Sequence, residues 1–199
     1  MTKVEDFKNS RGLWVRSYIR EGRQISTRGG KLHDRMKSRC RLGGKTQKDQ
    51  PTYMGCSYSE VLGDFQSFTT WCQKQVGYLA GFALEKDVLV RGNKVYSEDT
   101  CVFLPQTINN LLLQSGAIRG KYPIGVSSDK RWKTFQATCR YGVGRKSKFL
   151  GSYNTIEEAF LAYKTFKEAT IRQVAEQYKA VVDVRAYNAL MRYEVLITD

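Results

Sequence analysis

The sequence predicts an α+β fold in two successive parts, and three observations carry that expectation. Beyond Pro123, three short runs read as strands, and a capped amphipathic run opening at Thr155 reads as the helix that covers them. Before Ser115, a helical pattern is followed by strand-like runs and turns. Between these parts, residues 115–122 carry two glycines and lead to Pro123, which marks a linker. The 199 residues are 41% hydrophobic and 12% aromatic, enough for real cores.

Residues 1–50 read as a basic N-terminal arm. From Arg11 to Lys48 the only acids are Glu21 and Asp34, and Gly29, Gly30, Gly43 and Gly44 break the stretch up. Lys31 to Cys40 fits a short helix with Met36 and Cys40 on one face. Such an arm serves either as a phosphate contact or as a solvated basic loop.

Residues 51–114 form the next block. Ser59 is placed as an N-cap, and Val61, Phe65, Phe68, Trp71 and Cys72 recur at helical spacing as a core-facing stripe. Gly77 and Gly81 end that helix. Strands are expected over Phe82–Leu84, Val88–Val90 and Thr100–Leu104, with a turn at Arg91-Gly92-Asn93. Pro105 then opens a helix through Ile108, Leu111 and Leu112.

Residues 123–199 form the last block. Its expected strands are Ile124–Ser127, Lys133–Tyr141 and Ser147–Ser152, turning at Ser128-Asp129-Lys130 and Gly142-Val143-Gly144. In the middle strand Phe135, Ala137 and Cys139 share one face, and Thr134, Gln136, Thr138 and Arg140 share the other. Thr155 and Glu158 make a capping box, and Ile156, Ala159, Phe160, Tyr163, Phe166 and Val174 form the helix's apolar stripe. One helix covers only one face of a three-stranded sheet, so a polar, basic face is left open.

Charge points to the partner. Lys and Arg number 33 against 19 acids, a formal charge of +14, which favours a polyanion and nucleic acid first. No apolar run approaches the roughly 20 residues that span a bilayer. Met1 to Asn9 are polar, so no secretory signal is expected and the chain is placed in the cytoplasm. The five cysteines are widely spaced without a Cys-x-x-Cys pair, and His33 is the single histidine. Neither zinc nor a disulfide framework is expected. No heptad repeat suggests a dimer, so a monomer is the default.

The stretch from Ile124 to about Tyr178 carries Gly125-Val126, Phe135-Gln136-Ala137-Thr138-Cys139-Arg140 and Phe149-Leu150-Gly151-Ser152-Tyr153-Asn154-Thr155-Ile156-Glu157-Glu158-Ala159. It resembles the DNA-binding domain of plant ethylene-response factors, which also occurs in phage homing endonucleases. The resemblance implies a sheet laid into the DNA major groove, with Thr138 and Arg140 at base- and phosphate-contacting positions. Lys130, Arg131, Trp132, Lys133, Arg145, Lys146 and Lys148 supply further cationic or stacking groups. Ser127 and Ser128 follow the first Gly-Val, and several of the family's arginines are replaced, so the plant sequence preference does not carry over.

Upstream, Phe82-Ala83-Leu84-Glu85-Lys86-Asp87 is followed by Gly92-Asn93-Lys94-Val95-Tyr96-Ser97-Glu98-Asp99-Thr100-Cys101-Val102-Phe103-Leu104-Pro105 and then Ile108-Asn109. This order resembles a divergent HNH, or ββα-metal, motif of phage-encoded homing endonucleases, a lysine-containing subgroup in particular. The resemblance implies metal-dependent hydrolysis of double-stranded DNA in an infected bacterial cell, with one Mg²⁺ or Mn²⁺ held by Glu85 and Asn109. A divalent ion stabilises charge on the phosphate and leaving oxygen, and a base activates water. Lys86 stands where the family has its histidine; a protonated lysine is a poor base. It is therefore expected to stabilise the phosphate or leaving group, with Asp87 as base or second metal ligand. A register with Asp87 rather than Glu85 on the metal stays open.

Two further readings differ in class. The same fold could be a catalytically inactive DNA-binding protein, a regulator or anti-host factor. An RNA-binding protein would use Trp132 and Tyr141 as stacking groups.

Overall fold

The computed structural model describes residues 5–113, 120–129, 131–141 and 147–199. The chain is a mixed α+β protein that divides into two compact units, Met1–Phe103 and Leu104–Asp199. No helix among the described residues is long and apolar enough to cross a membrane. Residues 115–119, Lys130, Arg145, Lys146 and the Gly142-Val143-Gly144 turn lie outside the described residues.

The basic stretch at the start is folded into the first unit rather than lying off it as an arm. Strands β1 (Ser17–Arg20) and β2 (Arg23–Ser26) pair antiparallel around Glu21 and Gly22, both at positive φ. Helix α1 (Arg28–Cys40) follows, with the Thr27 side chain accepting from Gly30 N. The two glycines expected to break the chain lie inside α1, because larger residues do not fit there. A Cβ on Gly30 would strike the Arg16 carbonyl, and one on Gly29 would press on Thr69. Asp6 holds the start of the helix: it accepts from Gly29 N (2.7 Å), Gln73 Nε2 (3.0 Å) and the Tyr78 hydroxyl.

Helix α2 (Lys45–Asp49) and a 3₁₀ turn at Pro51–Tyr53 lead to β3 (Ser57–Tyr58). The single helix expected from Ser59 is two: α3 (Glu60–Gly63) and α4 (Phe65–Gln73). Asp64 makes the break, adopting an extended conformation and capping Ser67 N at 2.8 Å. The expected stripe splits accordingly, with Phe68 and Cys72 buried and Val61 exposed. The core gathers Met36, Leu62, Phe68, Cys72, Tyr78, Tyr96, Cys101 and Phe103. Burial of a side chain such as Phe68 or Phe103 contributes about 1.5–3 kcal/mol.

Three short strands complete this stretch: β4 (Ala83–Glu85), β5 (Val95–Tyr96) and β6 (Val102–Leu104). Strand β4 pairs with β6, and β5 pairs in parallel with β3. Val88–Val90 is a bend, not the expected strand. Its neighbours are drawn into a closed loop instead, described below. Helix α5 (Gln106–Leu112) follows β6 directly.

In the second unit β7 (Val126–Asp129), β8 (Thr134–Arg140) and β9 (Ser147–Tyr153) form an antiparallel sheet in that order. Helix α6 (Ile156–Tyr178) covers one face and carries the capping box of Thr155 and Glu158. Cys139, Phe160, Tyr163 and Val195 form the core between them, joined by Val126, Leu150 and Phe166. Gly125 is at φ +79°, and a Cβ there would overlap the Tyr163 ring, so the chain enters β7 only through glycine. Helix α7 (Val184–Met191), which lies beyond the expected elements, packs on α6.

Candidate functional site

The open face of β7–β8–β9 is built by strand alternation. Register pairs Ser127 with Gln136, Gln136 with Ser152, Thr138 with Phe149 and Arg140 with Ser147, so these side chains share the face away from α6. A β-bulge between Ala137 and Thr138 shifts the pairing with β9. It keeps Leu150, Gly151 and Tyr153 on the helix side while leaving Phe149 in solvent, 58% exposed.

Charge on this face is thinner than composition suggests. Among the described strand positions it carries Arg140 on β8 and, on the neighbouring strand β7, Asp129. Asp129 accepts from Gln136 Nε2 at 2.8 Å and from Arg131 N at 3.0 Å. Arg131, Trp132 and Lys133 crown the β7–β8 turn, all exposed, with Trp132 at 71%. Lys148 stands apart from Thr138 and Arg140. It is paired with Cys139, on the helix side, and its ammonium lies 4.8 Å over the Phe166 ring.

In the first unit, Glu85, Lys86 and Asp87 start the connection from β4. Glu85 Oε1 accepts from the backbone N–H of Lys86 (2.8 Å) and of Asp87 (3.0 Å), which folds its side chain back over the turn. Lys86 points inward and is 4% exposed. Its ammonium pairs with the Asp87 carboxylate, donates to the Asn93 carbonyl at 2.7 Å and lies 5.8 Å from the centre of the Tyr96 ring. Asn93 closes the loop from the other side: Nδ2 donates to the Lys86 and Val95 carbonyls at 2.8 and 2.7 Å, and Oδ1 accepts from Val95 N at 3.0 Å.

The turn after β5 is tied down in the same way. The Thr100 hydroxyl donates to the Val95 carbonyl at 2.9 Å and meets the Ser97 hydroxyl at 2.8 Å. The Ser59 hydroxyl donates to Glu98 at 2.7 Å, joining the α3 cap to this turn. Arg39 reaches the Tyr96 hydroxyl at 3.2 Å. Burial works against its charge, but Tyr96, Tyr53 and Glu85 more than offset that and hold it above the usual guanidinium value.

Asn109, the expected amide ligand, lies on α5 in the second unit, whereas Glu85 to Asp87 lie in the first. Its Oδ1 is buried and accepts no hydrogen bond. Such an orphaned acceptor is uncommon and calls for a partner of its own. Glu85 has one carboxylate oxygen engaged by backbone, and among the described residues no hydrogen bond reaches the other. Among the described residues no group of three or more His, Cys, Asp and Glu side chains gathers as a metal cluster.

His33 plays no part in this region. Its ring is buried between Phe65 and Phe68, with Nδ1 3.0 Å from Arg16 and Nε2 3.1 Å from the Gly63 carbonyl. Burial, then the Arg16 charge, lowers its pKa below 6.5, so it is neutral at pH 7. The cysteines are free thiols, and burial pushes Cys40 up to about 11 and Cys101 to about 12, which leaves them poor nucleophiles.

Asn93 and Phe149 escaped the sequence reading. Asn93 belongs to an expected turn, and an asparagine after glycine is also a ready side-chain-to-backbone clamp. Phe149 opens the motif around Gly151, and the register of β9 turns it to solvent. Family models, curated proteins and solved structures were compared with the chain, and none matches.

Proposed function

We propose that this chain binds double-stranded DNA through the open face of β7–β8–β9 and hydrolyses a phosphodiester bond with one Mg²⁺ or Mn²⁺ ion, as an HNH-type endonuclease. The observation that carries the reading is a sheet with α6 packed on one face and, among the described residues, Thr138, Arg140 and Phe149 on the other. A sheet with that free face suits the major groove, where arginine pairs with guanine and threonine or phenylalanine meets a thymine methyl. Arg131 and Lys133 at its rim would position the phosphate backbone.

For hydrolysis, the order β4, β6, α5 with β4 paired to β6 supports an HNH-like region. The residues assigned to the ion by resemblance are Glu85, in the first unit, and Asn109, in the second, whose buried Oδ1 accepts no hydrogen bond among the described residues. When bound, the ion would neutralise charge on the phosphate. Lys86 is a positioning residue in this reading: its ammonium is engaged by Asp87 and Asn93, and it holds the turn that carries Glu85. Asp87, half exposed, is the acceptor left for a proton from water.

A second reading, a DNA-binding protein without catalysis, is favoured by that same engagement of Lys86 with Asp87. Supercoiled DNA incubated with the protein and Mg²⁺ or Mn²⁺ separates the two. Nicking that disappears in Glu85→Ala and in Asn109→Ala is expected. Salt-sensitive binding without cleavage under either metal overturns hydrolysis and establishes the second reading.

A further inference from the structure

Among the described residues the β1–β2 hairpin pairs with no other strand, an arrangement that is marginal in water unless something holds it. Its base is held firmly. The Arg16 guanidinium pairs with Asp34, lies 3.0 Å from His33 Nδ1 and stacks over the Phe65 ring at 4.4 Å. The Thr27 hydroxyl lies 2.8 Å from the Val15 carbonyl and 3.0 Å from that of Arg16, and Gly30 lets α1 press against the same Arg16 carbonyl. On one face Tyr18 packs edge-on against Phe7, with ring centroids 5.4 Å apart.

The tip is built against its own stability. Arg20 and Arg23 stand directly opposite one another across the two strands. Like charges in that position repel. Among the described residues Glu21 answers Arg20 alone, at 3.6 Å and largely in solvent, where an ion pair is worth little. Arg23 has no acidic partner among the described residues. Beside them Ile19 is 69% exposed, and Gln24, across from it, is exposed too. Glu21 holds φ +52° to make the turn, a conformation non-glycine residues rarely adopt. A clamped base with a charged, apolar-flanked tip is an element whose favourable partner is missing.

We propose that β1–β2 is a second DNA-contacting element, a two-stranded ribbon that enters the major groove and places Arg20 and Arg23 against the duplex. The groove is about 12 Å wide and admits such a ribbon. Twelve of the 33 basic residues lie between Arg11 and Lys48 against two acids, so the segment that carries the ribbon is strongly cationic and suits a polyanion. This inference rests on duplex DNA being the ligand, as proposed above, but on a different unit from the sheet.

The test is the full chain carrying Arg20→Ala and Arg23→Ala together, titrated against duplex DNA over a range of salt. Each lost phosphate contact removes about 0.9 from the slope of log affinity against log salt, so a fall of about 1.8 is expected, with affinity down tenfold or more. The variant's melting temperature should hold or rise, because the opposed charges are gone. Protection of guanine N7 from methylation, a major-groove readout, should shrink. Unchanged affinity and slope, with the natural chain still binding, overturns the ribbon and leaves the sheet reading standing. No duplex binding by the natural chain overturns both. An equal loss on double-stranded RNA, whose major groove is too narrow to enter, overturns the groove assignment.

Discussion

The loop between β4 and β5 and the open face of β7–β8–β9 carry similar residue types and turn them in opposite directions. In the loop, Lys86, Asp87 and Asn93 bond to one another and to backbone, and the ammonium of Lys86 is buried. On the sheet, Arg140 and Phe149 look outward and Trp132 stands in solvent at the turn. Charged residues in a motif therefore divide by where their hydrogen bonds go. Those satisfied inside hold a shape, and those left open are free to meet a ligand.

The sheet depends on one glycine for its seat on α6, and Gly125→Ala is expected to give the largest effect. Overlap with Tyr163 and the positive φ together should destabilise the second unit by about 3 kcal/mol, seen in denaturant unfolding. A shift below 1 kcal/mol would mean that the seat is loose.

Asn93→Ala sharpens the other side. It removes three side-chain bonds and should cost about 2 kcal/mol of stability in the first unit. Affinity for DNA should be unchanged. A variant that keeps its stability but loses DNA binding would place Asn93 among the ligand contacts instead.

The smallest effect expected is a pH dependence. The pKa of His33 in the folded chain lies below its unfolded value of 6.5, so below that pH the unfolded chain takes up a proton that the folded chain refuses. This contribution is level above about pH 6.5 and declines as pH falls toward the folded pKa, by at most about 1.4 kcal/mol per pH unit. Comparing the acid limb of unfolding curves for the natural chain and His33→Asn checks it. A limb unchanged in the variant assigns the slope to other groups.

The second unit was the more legible. Alternation in β8 named both faces, and Thr155 with Glu158 marked the start of α6, because strand pleat and helix cap are local properties. Its bulge and α7 were not legible, since both depend on partners distant in sequence. The first unit misled more. Gly29 and Gly30 look like helix breakers, but close packing on Thr69 and Arg16 requires them inside α1. Val88–Val90 has strand composition, yet the Asn93 clamp takes the loop elsewhere. The motif Glu85-Lys86-Asp87 was visible, but nothing local says that Lys86 turns inward.

Fluorescence anisotropy of labelled duplex DNA, titrated with Arg140→Ala and with the natural chain, tests the outward-facing sheet most directly. A bidentate contact to guanine is worth about 1–3 kcal/mol, so affinity should fall about tenfold while the melting temperature stays the same. Equal affinity for both proteins, at equal stability, contradicts the assignment of this face to DNA.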